Sequence, residues 1–508
     1  MGLFDSFFRR EVKEPQPTQR KGANPTRAAV RSILKAADTG RLESSWSTVP
    51  HTADAVIFND WWTTVARSRQ MCNDSDHYRK FLQLCRDNIA GPIGFKFSAN
   101  IKDPSGTADT LATNAIEDSF KDFSKPGNFD TTGTLSRADA ERLAITTAAQ
   151  DGECIGIIHT GRDVGSWGFG VEMIDPARLN PRHYQKLGNG NTIRHGIEFT
   201  PKGRPVNYYF DNFDEQMMGY VLTYSGRDKY TVVPAEDVVH WFVPELVGQK
   251  RGLAWTRTAL WRGRMLSAFE DAVVTNARVG AAKTGFFRAE DADDVEEDEL
   301  PMDAEPGVFE DIGDREFQSW TPQFPDQVVE TFMRTILRSQ AAGLGVSYHN
   351  LSGDLTSVNF SSIRQGSLDE RGVWMGLQES FIARWCVPIY ERWLERALLS
   401  EAIQINGKPL RFERIDKYKQ VSFRGRRWAW IDPAAEQQAN TGAVWQGFSS
   451  RSQIIEDMGG DPQAVWDEIE QENRELAKRG IVPAPPPGST PPPKETSQQS
   501  DLTPPASK

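Results

Sequence analysis

Only four cysteines occur in the 508 residues, Cys72, Cys85, Cys154 and Cys386, and no two form a CxxC pair. That excludes a disulfide framework and a thiolate zinc site, and it fits a reducing compartment. Long apolar runs are missing as well. No stretch reaches the roughly 18 apolar residues that a membrane helix needs, and the opening "MGLFDSFFRR" lacks the apolar core of a signal peptide. A soluble chain with no membrane association is expected. Basic residues are outnumbered, 59 Lys and Arg against 70 Asp and Glu, for a formal charge of −11. Such a chain is poorly suited to tight, general DNA binding, which comes from cations neutralising phosphates; transient contact stays open. The motifs GxxxxGK[ST], HExxH and GxSxG are all absent, which removes the phosphate-cradling loop, the zinc-peptidase helix and the hydrolase elbow. Neither a metal nor a cofactor is expected, and there is no internal repeat.

What is present suffices for large cores: 38% hydrophobic residues, with 15 Trp and 27 Phe. The length is several times that of one domain, so two or more compact units are expected. Residues 1–25 are charged and Pro-containing. A helical pattern runs from about Asp60 to Ile89 with a polar break, and Gly91-Pro92 ends it. Another helix spans Ser136 to Gln150. The period then changes to short β-rich runs, "CIGIIHTG", "FGVEMID", "IRHGIEFT", "VNYYFDN", "YVLTYSG" and "DVVHWFVPE", which read as an antiparallel sheet domain. "GRDVGSWGFG" reads as a hairpin turn within it.

From Gly252 a second change sets in. "LAWTRTALWRGRMLSAFEDAVVTNARVGAAK" has no Pro and reads as one long helix; "PGVFEDIGDREFQSW" resembles a hairpin; "DQVVETFMRTILRSQAAG" is helical again. A further helix is expected over Ile363–Ser400, with Trp374, Leu377, Phe381, Trp385, Ile389, Trp393 and Ala397 as its core stripe and Pro388 kinking it near Arg384. Ile403–Ser422 is β-like, and short helices continue to about Arg479. Residues 480–508 form a Pro/Ser/Thr tail that cannot build a core.

Three segments invite chemistry. "SYHNLSGDLTSVNFSSIRQG" (Ser347–Gly366) holds Ser352, His349 and Asp354 within six residues. A Ser-His-Asp triad needs members held rigidly, normally from distant parts of a chain, so a polar loop is the better reading. Ser362 and Gln365 fit a capping box opening the helix that follows. "EDADDVEEDE" (Glu290–Glu299) has eight acids in ten positions; it is either a solvated excursion or a docking surface for a basic partner, and it lacks calcium-loop spacing. "RFERIDKYKQVSFRGRRW" (Arg411–Trp428) interleaves cations with aromatics, fitting either nucleic-acid contact or a basic sheet edge on a neighbouring acidic subunit.

The order of these parts resembles the portal proteins of tailed bacteriophages, of the lambda type. The resemblance is carried by "NDWWTTVARSRQMCNDSDHYRKFLQLCRDNIAG", "DVVHWFVPELVGQKRGLAWTRTAL", "LGVSYHNLSGDLTSVNFSSIRQGSLDERGVW" and "WAWIDPAAE", which occur in the family's order. It implies an α+β portal fold assembled as a ring, a homo-oligomer of dodecameric type. It further implies a flexible arm (1–25), a mixed α/β wing (26–250), a first stem helix (251–283), a β-containing clip (284–325) and a second stem helix (326–343). A channel loop (344–361), a long kinked helix with a returning wing segment (362–432), an α-helical crown (433–479) and the tail (480–508) complete the set. The implied function is a structural channel at one capsid vertex, through which double-stranded DNA is packaged and ejected. The implied partners are the terminase large subunit, a tail connector or adaptor, and the major capsid or scaffolding protein. The implied location is the virion, with assembly in the host cytoplasm.

On this resemblance the channel loop presents Ser347, His349, Asn350, Ser352, Asp354, Thr356, Ser357 and Asn359 to DNA. Arg334, Arg338, Arg364 and Arg371 are candidate channel-lining cations, and Glu296, Glu297, Asp298 and Glu299 candidate clip-docking acids. No residue is expected to be catalytic. A loop with Asp354 as its one formal charge suits a conduit, because each phosphate contact that aids binding also resists sliding. The competing readings are a phage-borne serine hydrolase or peptidase using the 347–366 serines, and a DNA-binding scaffold using 411–428.

Overall fold

In the computed structural model of the chain, the described residues are 47–212, 230–281, 285–288, 316–319, 326–356, 360–428 and 433–481. Helices α1 (Ala53–Asp74) and α2 (Asp76–Ile89) come first. Thr52 caps α1 by accepting from the Ala55 amide. The apolar steps Ile57, Trp61 and Val65 on α1, and Tyr78, Phe81, Cys85 and Ile89 on α2, are the buried ones. The expected polar break is Ser75, which is extended. Strand β1 (Lys96–Ala99) and helices α3 (Thr110–Phe123) and α4 (Arg137–Asp151) follow. A capping box between Ser136 and Asp139 starts α4. Gly152 ends it at φ 100°, where a Cβ would lie 2.3 Å from the Leu253 carbonyl carbon; only glycine tolerates both.

The β-rich region resolves into two antiparallel sheets. The strands are β2 (Glu153–Thr160), β3 (Phe169–Ile174), β4 (Gln185–Lys186), β5 (Thr192–Arg194), β6 (Ile197–Phe199), β7 (Pro205–Asp211), β8 (Tyr230–Pro234) and β9 (Val238–Phe242). One sheet has the order β3-β2-β9 and the other β4-β5-β6-β7-β8. The Gly-rich "GRDVGSWGFG" segment turns between β2 and β3, with Thr160 facing Phe169. Because side chains alternate along a strand, β2 serves two cores: Cys154 and Ile158 enter the main one, Ile155 and Ile157 a second one with Leu179, Ile197 and Phe210. The run "YVLTYSG" lies outside the described residues.

A buried ion cluster fixes the next segment. Arg251 and Glu153 are both fully buried and paired. Arg251 also donates to the carbonyls of Leu179 (2.6 Å), Pro176 (3.1 Å) and His195 (3.3 Å) and lies 4.6 Å from the Trp61 ring centroid. Glu153 accepts from the Gly252 amide at 2.7 Å and pairs with His240 at 3.0 Å. Burial alone would raise the Glu153 pKa; the Arg251 charge and the His240 contact outweigh it and bring it to about 2. This anchoring corrects the expected thirty-residue helix at its start: 253 and 254 are irregular, 255–259 form turns, and α5 (Leu260–Ala281) begins only at Leu260.

Strands β10 (Gly285–Arg288) and β11 (Glu316–Ser319) pair with each other. "EFQS" therefore pairs with a strand some thirty residues earlier, while the rest of the expected 306–320 hairpin, and Glu296, Glu297, Asp298 and Glu299, lie outside the described residues. Helix α6 (Asp326–Leu344) is followed by α7 (Tyr348–Ser352), α8 (Phe360–Phe381) and α9 (Val387–Leu399). Between α8 and α9, Ile382–Cys386 form a π-helical turn in which the Val387 amide reaches back to the Ile382 carbonyl. The kink expected near Arg384 is realised as this wider turn, which seats the ring of Pro388 without ending the helix. The expected stripe lies in the core: Trp374, Phe381, Trp385, Ile389, Trp393 and Ala397 are buried, and Leu377 is half-buried against them. The capping box expected at Ser362 is overturned, since α8 already begins at Phe360 and Ser362 sits in its first turn.

The expected β-like segment is mostly not sheet. It contains the short pair β12 (Gln404–Ile405) and β13 (Lys408–Pro409), helix α10 (Ile415–Tyr418) and β14 (Val421–Arg424), which pairs antiparallel with β1. Several of its cations are engaged inside the chain: Lys417 with Asp103 (2.8 Å) and Asp109 (2.5 Å), Arg424 with Asp461 (3.2 Å), Arg426 with the Asp87 carbonyl (2.6 Å). This segment is a sheet edge packed on its own subunit. Helices α11 (Pro433–Trp445), α12 (Arg451–Asp457) and α13 (Pro462–Lys478) close the described chain, and none of their own residues is buried.

Candidate functional site

The loop singled out by sequence joins α6 to α8, and it is more ordered than a loop. Ser347 caps α7, accepting from the Asn350 amide, and Gly353 ends it at φ 73°, its amide donating to the His349 carbonyl at 2.8 Å. A Ser cap and a Gly stop six residues apart were the local signal for this helix. Leu351 pins it to the main core.

Two carboxylates organise the segment. Glu370, nearly buried on α8, accepts from the Ser347 amide (3.4 Å), the Ser347 hydroxyl (3.3 Å) and the Asn350 side-chain amide. Burial raises its pKa above the ordinary glutamate value. Asp354 accepts from the Thr356 hydroxyl (2.6 Å), the Thr356 amide (3.0 Å) and the Tyr348 hydroxyl (2.8 Å), and Arg334 stands 3.7 Å away. The Thr356 and Tyr348 bonds favour the carboxylate and hold its pKa well below the usual aspartate range.

This geometry contains no catalytic relay. The Ser352 hydroxyl donates to the Tyr348 carbonyl at 2.8 Å and accepts from the Asp354 amide at 3.1 Å. His349 uses Nδ1 on the backbone carbonyl of Asp354, at 3.0 Å, not on its carboxylate. Serine, imidazole and carboxylate are each committed to turn-forming bonds, and none activates another. Among the described residues, no group of three or more His, Cys, Asp or Glu could hold a metal ion, and no helix is long and apolar enough to cross a membrane.

The arginines are placed differently from one another. Arg334 bridges Glu330 (2.8 Å) and Asp354, and the Arg338 guanidinium lies 5.4 Å from the Tyr348 ring centroid, so both clasp the loop to α6. Arg371 lies over the Trp428 ring at 5.7 Å, and burial lowers its pKa. Arg364 is on α8, with its side chain outside the described residues, as are Ser357 and Asn359. Among the described residues of the loop, Gly345, Asn350, Gly353, Leu355 and Thr356 are exposed. Sequence reasoning missed Glu370 and Tyr348. An acid at a position of α8 that ends up buried beside the loop, and a tyrosine abutting a Ser cap, were the available signals.

Comparison with known proteins places these parts in context. The family model for "Phage portal protein, lambda family" matches residues 39–378. The probable portal protein of Halomonas phage phiHAP-1 is 29% identical over 486 residues, covering 92% of this chain and 90% of that protein. Portal protein B of Escherichia phage lambda is 21% identical, covering 87% and 89%. A chain in the solved neck of a native GTA particle, computed with C12 symmetry, superposes with a TM-score of 0.42 at 14% identity, over 84% of this chain and 99% of that one.

Proposed function

The chain belongs to the lambda family of phage portal proteins, and from that premise we propose that copies of it close into a ring whose bore passes double-stranded DNA. Its role in the bacteriophage virion is that of a structural portal protein, not of an enzyme. The ring is of dodecameric type and sits at one capsid vertex. Residues 26–250 act as wing, α5 and α6 as stem, 284–325 as clip and 433–479 as crown. Terminase and, later, the tail connector dock on the clip through Glu296, Glu297, Asp298 and Glu299, and the major capsid or scaffolding protein is a further partner.

The observation that carries the conduit reading is the chemistry of the loop between α6 and α8. From Ser339 to Ile363 there is no Lys or Arg, and the one carboxylate, Asp354, is hydrogen-bonded within the loop and faced by Arg334. A surface of hydroxyls and amides lets a polyanion slide, since it neither binds phosphates nor repels them strongly. Arg334, Arg338, Arg364 and Arg371 remain the candidate cations of the bore; in the first two, the positive charge also supports the loop.

A DNA-packaging assay on two kinds of variant tests this. Ser352→Ala is expected to leave packaging near wild type. Two lysines inserted after Gly353 are expected to slow it while rings still form, because added phosphate contacts act as drag. Normal packaging by the lysine variant, together with a hydrolytic activity lost in Ser352→Ala, would defeat the conduit reading and restore the hydrolase.

A further inference from the structure

Helices α1 and α5 enclose a groove of about 410 Å³ that none of the roles above uses. Met71 and Leu260 line it and pack against the main core. Arg67 on α1, and Trp261 and Arg264 on α5, rim it. Trp261 is 75% exposed, and Met265, one turn further on, is 52% exposed. At one end Arg257 is paired with Glu245. Among the described residues, Arg67 and Arg264 have no ion-pair partner.

We propose that this groove docks an acidic peptide segment of a partner protein, with carboxylates on Arg67 and Arg264 and an apolar side chain against Trp261 and Met71. Three observations converge on that occupant. The chain carries a net charge of −11, so two guanidinium groups without an ion-pair partner lining one groove form a local surface of opposite sign, suited to an acidic partner. Guanidinium forks match carboxylates bidentately. An exposed indole beside arginines over an apolar floor has the composition of an interface hot spot, and an indole left three-quarters in water is a gain to be realised on binding. A nucleic-acid backbone fits less well: the Met71–Leu260 floor offers a sugar–phosphate chain nothing to bond. The proposal requires the groove to stay open when copies assemble, which the particle-size readout checks separately from the channel reading.

The test uses the full-length assembled protein and three fluorescein-labelled probes: a ten-residue peptide of Glu and Asp around a central Leu, its Lys-substituted counterpart, and a short DNA duplex. Anisotropy titrations at low and high salt measure affinity, and light scattering measures particle size in the same samples. The acidic peptide is expected to bind, more weakly as salt rises. The Arg67→Glu/Arg264→Glu variant should weaken it at least about tenfold, Trp261→Ser about tenfold, and Arg67→Gln/Arg264→Gln by an intermediate factor, all with particle size unchanged. Four results would overturn the proposal: no binding of the acidic peptide, binding indifferent to these variants, binding of the duplex in its place, or assemblies that fall apart in the Gln variant. The last would make the groove a contact between copies of this chain.

Discussion

Replacing Glu370 by alanine removes the acceptor that ties α7 to α8, and the consequence can be worked out from its three bonds. Those from Ser347, at 3.3 and 3.4 Å, are long and contribute little. The short bond from the Asn350 side chain to a carboxylate is the substantial one. Hydrogen bonds to a charged group contribute about 1.5–3 kcal/mol, and this one is only part-buried, so about 2 kcal/mol of local stability is expected to go. A loss of that size raises the frequency of loop opening about thirtyfold. The reporters are the amides of Leu351 and Gly353, bonded to the carbonyls of Ser347 (3.1 Å) and His349 (2.8 Å). Amide hydrogen exchange should show both losing protection about thirtyfold in Glu370→Ala, with α6 and the body of α8 unchanged. Glu370→Gln keeps an acceptor oxygen and should show a clearly smaller loss. Unchanged exchange in the alanine variant would refute the anchoring role, as would an equal loss spread over α6 and α8, which would mean a global effect.

Three further outcomes are expected. Arg251→Ala leaves the Glu153 charge buried without its guanidinium partner, with only His240 and the Gly252 amide beside it, which should destabilise the fold by about 3 kcal/mol in a denaturant titration; a shift under 1 kcal/mol would contradict the cluster's role. Because the folded-state pKa of Glu153 lies below its ordinary value, at about 2, its contribution is fully present above about pH 4.5 and is lost as pH falls toward 2. Glu153→Gln should therefore flatten the acid limb of the stability curve, and an unaltered slope would assign that limb to other groups. Replacing Glu296, Glu297, Asp298 and Glu299 by Gln should leave particle size intact but weaken terminase or connector binding, most visibly at low salt; wild-type packaging would make the block a solvated excursion.

Much of this architecture was legible because it rests on local periodicity. The stripe from Trp374 to Ala397 is set by spacing alone, and the structure buries it apart from Leu377, which is half-buried against the core. What was illegible depends on partners distant in sequence. The start of α5 is delayed to Leu260 because Arg251 is held by Glu153, nearly a hundred residues earlier. The cations of Arg411–Trp428 fitted either nucleic acid or a neighbouring acidic subunit, yet Lys417 and Arg424 meet Asp103, Asp109 and Asp461 of their own chain, which no local pattern reveals. At the candidate site the polar composition was readable and its order was not. Ser347 and Gly353 delimit α7, but the Glu370 anchor comes from another helix. The capping box at Ser362 failed for a related reason: a valid local motif lost to an earlier helix start at Phe360.

The central claim, that this chain forms a DNA-conducting ring, is tested most directly by negative-stain microscopy of the purified protein in near-physiological salt. The account predicts closed rings of uniform size with an axial hole wide enough for a DNA duplex. A uniform population of monomers at high protein concentration, or closed particles without a hole, would contradict it.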